Sequence, residues 1–163
     1  LAATLATEEI YRAFLGRYED WKTFFHGHSY TGNPLGCAVA LANLDLFRRE
    51  KTLTHVRKQT KLLARLLRPT AALSHVGDIR QCGLMVGIEL VQDRTTRTPY
   101  SLEMRIGHRV AQACRKGGLL MRPLGNVIAL VPPLSTSPQE LTKMVAILHS
   151  AIVDVTEGSA SPA

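Results

Sequence analysis

The sequence predicts an α/β fold, on three observations. Helical runs that open on capping residues alternate with short, β-branched, glycine-punctuated runs. The apolar period shortens from that of a helix to that of a strand near residue 79. Hydrophobic residues make up 45% of 163 residues, enough to build a buried core.

In chain order, LAATLA reads as a short β-like or loop segment. TEEIYRAFLGRY predicts a helix over about 8–16, with Thr7 as N-cap and Glu8 and Glu9 facing the positive end of its dipole. Asn33-Pro34 supplies an N-cap and a first-turn proline for the next helix. Its broad apolar face, Leu35, Ala38, Val39, Ala42 and Leu46 with the neighbouring Leu41 and Phe47, carries it to about residue 49. THVRKQTKLLARLLR predicts a third helix that stops at Pro69. IRQCGLMVGIELV, interrupted by Gly83 and Gly87, predicts a strand or a bent pair of strands, and DRTTRTPY a polar connection. SLEMRIGHRVAQACRKGG reads as a helix ending at its glycine pair, and LLMRPLGNVIALVPPL as two strands turning at Leu124-Gly125-Asn126. Ser137, Pro138 and Glu140 form a capping box that opens a last helix, SPQELTKMVAILHSAIVDV, before a frayed GSASPA tail. There is no internal repeat and no low-complexity segment.

Several function classes are disfavoured at this level. No apolar run approaches the ~20 residues that span a bilayer. Acidic residues stand in LAATLATEEIYRAF where a secretory leader would be positive, so a cytoplasmic location is expected. Cys37, Cys82 and Cys114 are odd in number, widely spaced and without a CxxC pair, which predicts small core residues rather than disulfides or a thiolate metal site. The net charge of +7 raises a nucleic-acid partner, or a non-catalytic basic binding module, as an alternative. However, the cations are dispersed or lie along one helical stretch (RREK at 48–51, Arg57, Lys58, Lys61, Arg65, Arg68), and aromatics are not interleaved with them. A solvated helix face, or a face that meets an acidic partner, fits them better than nucleic acid.

The chemistry concentrates in HGHSYTGNPL, His26 to Leu35. A helix beginning at Pro34 presents free N–H groups and the positive end of its dipole, and Gly27, Ser29, Thr31 and Gly32 precede it with hydroxyls and unencumbered backbone. A phosphate fits such a place; so does simple capping of the helix. His26 and His28 stand as H-x-H, but with no third ligand at a sensible spacing no metal is expected.

Three blocks carry a family resemblance. FFHGHSYTGNPLGCAVALANLDLF resembles the pattern H-G-x-(S/T)-(Y/F)-x-G-N-P-L-x-C-A that follows the cofactor lysine in class III pyridoxal-phosphate aminotransferases. GLLMRPLGNVIALVPPLSTSPQEL is similar to that family's R-P-(L/F)-G-x-x-I-x-x-x-P-P-L stretch, and IRQCGLMVGIELVQDRTTRTPY to the strand and loop between them. The resemblance covers nearly the whole chain. It implies the C-terminal portion of a fold type I enzyme, with residues 1–48 as the tail of the large cofactor domain, 49–157 as a small α/β C-terminal domain and 158–163 as a disordered tail.

The resemblance also implies a role for each site residue. His28 (through its backbone) and Ser29 would touch the phosphate of pyridoxal 5'-phosphate, across a homodimer interface. Gly27 would leave room along the substrate chain, and Arg122 would hold the substrate carboxylate. The bland alternative for Arg122 is an ion pair with Glu89 on a neighbouring strand. LAATLATEEIY is similar to the sequence just after the Schiff-base lysine, so that lysine is expected upstream of residue 1. No catalytic residue is expected in this chain, and the isolated chain is expected to be inactive. The pyridine-stacking aromatic, the aspartate on the ring nitrogen and the glycine-serine cofactor loop are likewise expected elsewhere. Within the family the blocks are most similar to the branch that aminates 8-amino-7-oxononanoate in biotin biosynthesis, usually with S-adenosylmethionine as amino donor and in some relatives with lysine. Ala129 stands where some of that branch carry an aromatic near the substrate, which leaves substrate and donor open.

Overall fold

The computed structural model describes residues 2–158. The expected tail past Gly158 lies outside the described residues. The chain divides into two compact units, one ending at Glu50 and one beginning at Lys51.

The first unit holds two helices and a long loop. Residues 2–7 form neither helix nor strand. Helix α1 (Glu8–Ala13) starts where Thr7 accepts from the Ile10 N–H, 3.3 Å, and ends at Phe14 rather than at residue 16. A 3₁₀ turn at Tyr18–Asp20 follows, and α2 (Pro34–Arg49) runs the length that its capping signals predict. None of residues 2–50 is buried. Ile10, Phe14, Trp21, Phe24 and Phe25 are all exposed, with Phe14 against Phe24 and Trp21 against Phe25.

The second unit is a sheet with helices on one face. Helix α3 (Thr52–Leu66) gives way at Leu67 to α4 (Arg68–Ala71). Pro69 therefore does not stop the helical path: it sits in the first turn of α4, where its missing N–H costs nothing. Strands β1 (Val76–Cys82) and β2 (Met85–Asp93) pair antiparallel, and β3 (Thr98–Pro99) pairs with the end of β2. The run SLEMRIGHRVAQACRKGG is not one helix. Arg105 takes a left-handed φ of 46° and separates a 3₁₀ turn from α5 (Ile106–Lys116). Strands β4 (Arg122–Leu124) and β5 (Val127–Leu130) form a second hairpin, and α6 (Pro138–Thr156) closes the fold on its Ser137–Glu140 capping box. Gly83 and Gly125, each with φ of 60°, open the two-residue hairpin turns, where only the first position needs a positive φ.

The main sheet has the order β1-β2-β5-β4. Its covered face supplies Val86, Ile88, Leu90, Ile128 and Leu130, which meet Leu63 of α3, Val110 and Cys114 of α5, and Leu141, Leu148 and Ile152 of α6. Burial pushes the Cys114 thiol up to about 11, so of the three cysteines it is the one that behaves as the core residue the sequence suggested. Cys37 is half-buried and Cys82 is exposed at the end of β1, because strand alternation turns it away from the helices.

Candidate functional site

The loop ahead of α2 folds through local polar chemistry. Thr31 N–H donates to the His28 carbonyl at 2.8 Å, and Asn33 N–H to the Tyr30 carbonyl at 3.1 Å. The Tyr30 N–H donates to His28 Nδ1 at 3.1 Å, which makes that ring nitrogen an acceptor, and Asn33 Oδ1 caps the Gly36 N–H at 2.9 Å. These turns border a concavity of about 850 Å³, lined by Ala2, Thr4, His26, Gly27, His28, Tyr30, Thr31, Gly32, Asn33 and Gly36. Ser29 belongs to the same turn but does not line the concavity; its side chain is exposed. A Cβ placed on Gly27 would meet nothing within 4 Å, so no packing inside this unit demands a glycine there.

This loop fits the phosphate end of pyridoxal phosphate. The concavity presents Thr31 and open backbone at Gly27 and Gly32, with no carboxylate to repel a dianion, while the Ser29 hydroxyl stands on the same turn outside it. It does not supply an amine: none of the six lysines lines it. Among the described residues no group of three His, Cys, Asp or Glu could hold a metal ion.

Arg122 lies in the second unit, and its position corrects one expectation. It is exposed on the uncovered face of the sheet, in register with Ala129. Glu89 is not its partner: β5 lies between β2 and β4, and Glu89 pairs in register with Val127. The Glu89 carboxylate instead accepts from Arg80 Nη1 at 2.6 Å, and Asp78 accepts from the same nitrogen at 2.9 Å. The Glu89 carboxylate, then that of Asp78, pushes the Arg80 guanidinium further into its charged form. Among the described residues Arg122 makes no ion pair.

Register brings Arg80, Gly87, Ala129 and Arg122 into one row across the four strands. Two arginines thus flank a floor with almost no side chain, and a shallow concavity of about 350 Å³ opens over Gly87, Ala129, Met85 and Val131. Sequence reasoning missed Arg80 and Gly87. Alternation within β1 and β2 puts Arg80, Gly87 and Glu89 on the uncovered face, but their pairing depends on a register that alternation does not set. Arg122 does not itself line that concavity, but it stands in register beside Ala129 with its fork uncommitted, a geometry suited to a carboxylate.

Known proteins resemble this chain over nearly its whole length. An adenosylmethionine-8-amino-7-oxononanoate aminotransferase of Nitratidesulfovibrio vulgaris is 56% identical over 160 residues, covering 98% of this chain and 30% of that protein. The enzyme of the same name from Methanocaldococcus jannaschii is 47% identical over 152 residues, covering 93% of this chain and 33% of its own length. The crystal structure of that M. jannaschii enzyme superposes with a TM-score of 0.87 at 45% identity, over 91% of this chain and 34% of that one. A PMP-bound aminotransferase from Vibrio fluvialis superposes with a TM-score of 0.80 at 29% identity, covering 88% of this chain and 31% of that one. The chain therefore spans about a third of the length of the relatives it matches, and its fold is that of pyridoxal-phosphate-dependent aminotransferases. Residues 1–152 match the model of the class-III aminotransferases, and the chain belongs to that family.

Proposed function

We propose that these residues serve a pyridoxal-phosphate-dependent transamination of 8-amino-7-oxononanoate to 7,8-diaminononanoate in biotin biosynthesis, with S-adenosylmethionine as amino donor. The observation that carries this reading is identity of 50–56% with three relatives that bear that enzyme's name, over 96–98% of this chain. Residues 1–48 would be the tail of the large cofactor-binding domain and 49–157 the small domain. A homodimer working in the cytoplasm rests on the family resemblance alone.

When bound, pyridoxal phosphate supplies the electron sink for moving an amino group. The chain's own residues bind and orient. The Ser29 hydroxyl and the backbone at His28 donate to a phosphate oxygen, charge-assisted bonds worth about 1.5–3 kcal/mol each. Gly27 leaves the substrate chain unobstructed. Arg122 grips the substrate carboxylate with its planar fork, a geometry that lysine does not reproduce.

A chimera tests the reading: this chain replaces the corresponding third of the M. jannaschii relative. It should load pyridoxal phosphate and aminate 8-amino-7-oxononanoate from S-adenosylmethionine. Arg122→Lys in the chimera should raise KM for the keto acid roughly tenfold to a thousandfold, a loss of ~1.5–4 kcal/mol, with cofactor loading unchanged. A chimera that loads the cofactor yet turns over only other amino acceptors contradicts the substrate assignment. A lower melting temperature with unchanged KM in the Arg122→Lys chimera removes Arg122 from the substrate site.

A further inference from the structure

From the charge layout of α3 and α4 we infer that their exposed ridge is a docking surface for an acidic helical segment of another protein. The stretch 51–71 carries six Lys/Arg and not one Asp or Glu, so it holds nearly all of the chain's excess of +7. The excess is therefore local.

Helical geometry gathers it further. At 100° per residue, Arg57, Lys58, Lys61, Arg65 and Arg68 fall within an arc of about 100°, and Lys61 stands one turn from Arg57, Lys58 and Arg65. All five are exposed, while Gln59, Leu63, Leu67 and Thr70 on the opposite face are buried in the unit's core. Among the described residues none of the five makes an ion pair. Like charges at one-turn spacing destabilise an isolated helix, and a face selected only for solvation interleaves both signs. A ridge with neither internal counter-ions nor interleaved carboxylates is complementary to a surface of opposite charge.

The ridge favours a protein over a nucleic acid. It runs about three turns, from Arg57 on α3 to Arg68 at the start of α4, and is narrow, the footprint of a helix lying alongside. The other exposed residues of 51–71 besides the Lys/Arg are Leu53, Thr54, Ala64 and Pro69, with no aromatic for stacking bases and no amide for reading base edges. This inference does not depend on the transamination reading.

The test uses the 163-residue chain and a labelled, alanine-rich synthetic helix with glutamates at i, i+4, i+8 and i+11, followed by fluorescence anisotropy. This probe should bind at least about tenfold more tightly than a scrambled peptide of equal charge, and should weaken as NaCl rises from about 50 to about 200 mM. The double variant Lys61→Glu/Arg65→Glu should weaken binding at least about tenfold. The variant Arg115→Glu/Lys116→Glu, which changes net charge equally at exposed positions of α5, should leave it unchanged; circular dichroism checks that both variants fold. No binding, equal binding of the scrambled peptide, or equal loss in both double variants overturns the inference. So does tighter binding of a DNA duplex of matched charge that the Lys61/Arg65 variant abolishes, which would make the ridge a nucleic-acid surface.

Discussion

The two units of this chain differ in what holds them. From Lys51 onward, a sheet and three long helices bury a continuous apolar core, with Ile88, Ile128, Leu63 and Leu148 fully out of water. Among the described residues up to Glu50 none is buried, and Leu41 on the apolar side of α2 is still 65% exposed. The loop proposed to hold the phosphate thus sits in the unit whose order comes from caps and short-range turns, whereas Arg122 stands on a sheet with a buried core. Capping and turn bonds contribute about a kilocalorie each and side-chain burial several times that over a core, so the two units should respond differently to the same perturbation.

The largest contrast comes from truncating apolar side chains. Ile128→Ala should cost about 2–5 kcal/mol by opening a cavity between β5 and the helices. Leu41→Ala should change the unfolding midpoint of the chain by no more than about 0.5 kcal/mol. Comparable losses for the two in a urea melt would break the comparison.

Glycines give a smaller version of the same test. A Cβ on Gly107 in α5 would run into the Gly125 carbonyl oxygen and lie 3.1 Å from Pro123 Cβ, so Gly107→Ala should cost about 1–3 kcal/mol and displace the hairpin that carries Arg122. Gly27→Ala has open space before it and should leave stability within about 0.5 kcal/mol of wild type. Thermal melts of the two variants measure both.

A cap supplies the smallest expected effect. Ser137 accepts from the Glu140 N–H at 3.2 Å, while its own N–H and hydroxyl donate to Glu140 Oε2 at 2.8 and 2.7 Å. Ser137→Ala should cost about 0.5–2 kcal/mol at neutral pH. The Ser137 backbone N–H, then its hydroxyl, hold the Glu140 carboxyl below its ordinary range. A carboxyl lowered in the folded state contributes stability above its unfolded pKa and loses it as pH falls through the folded value. The gap between wild type and Ser137→Ala should therefore narrow as melts are repeated toward pH about 3.

What was legible in the sequence was what local chemistry decides. The caps at Thr7, Asn33 and Ser137 set three helix starts because donor and acceptor lie within three residues of each other. The turn at Gly125 likewise placed the second hairpin, whereas the stretch around Gly83 read equally as one strand or a bent pair and is a hairpin. The ends that escaped were set by less local terms: α1 stops short, α3 yields at Leu67 ahead of Pro69, and the left-handed Arg105 splits the run before α5. At the site, the turns of the His26–Asn33 loop and the Asn33 cap were readable from local sequence, while its proposed phosphate role rests on family resemblance. The pairing of Arg80 with Glu89 and Asp78 was not, since strand order and register decide which carboxylate each arginine meets.

Native-state hydrogen exchange on the 163-residue chain tests most directly whether the unit that ends at Glu50 lacks a core of its own. Amides of β2, β5 and α6 should be protected to a level near global unfolding, while those of α2 exchange through local opening that costs little. If α2 amides from Cys37 to Arg49 prove as slow as those of α6 from Leu141 to Ile152 in a monomer, the contrast between the two units is wrong.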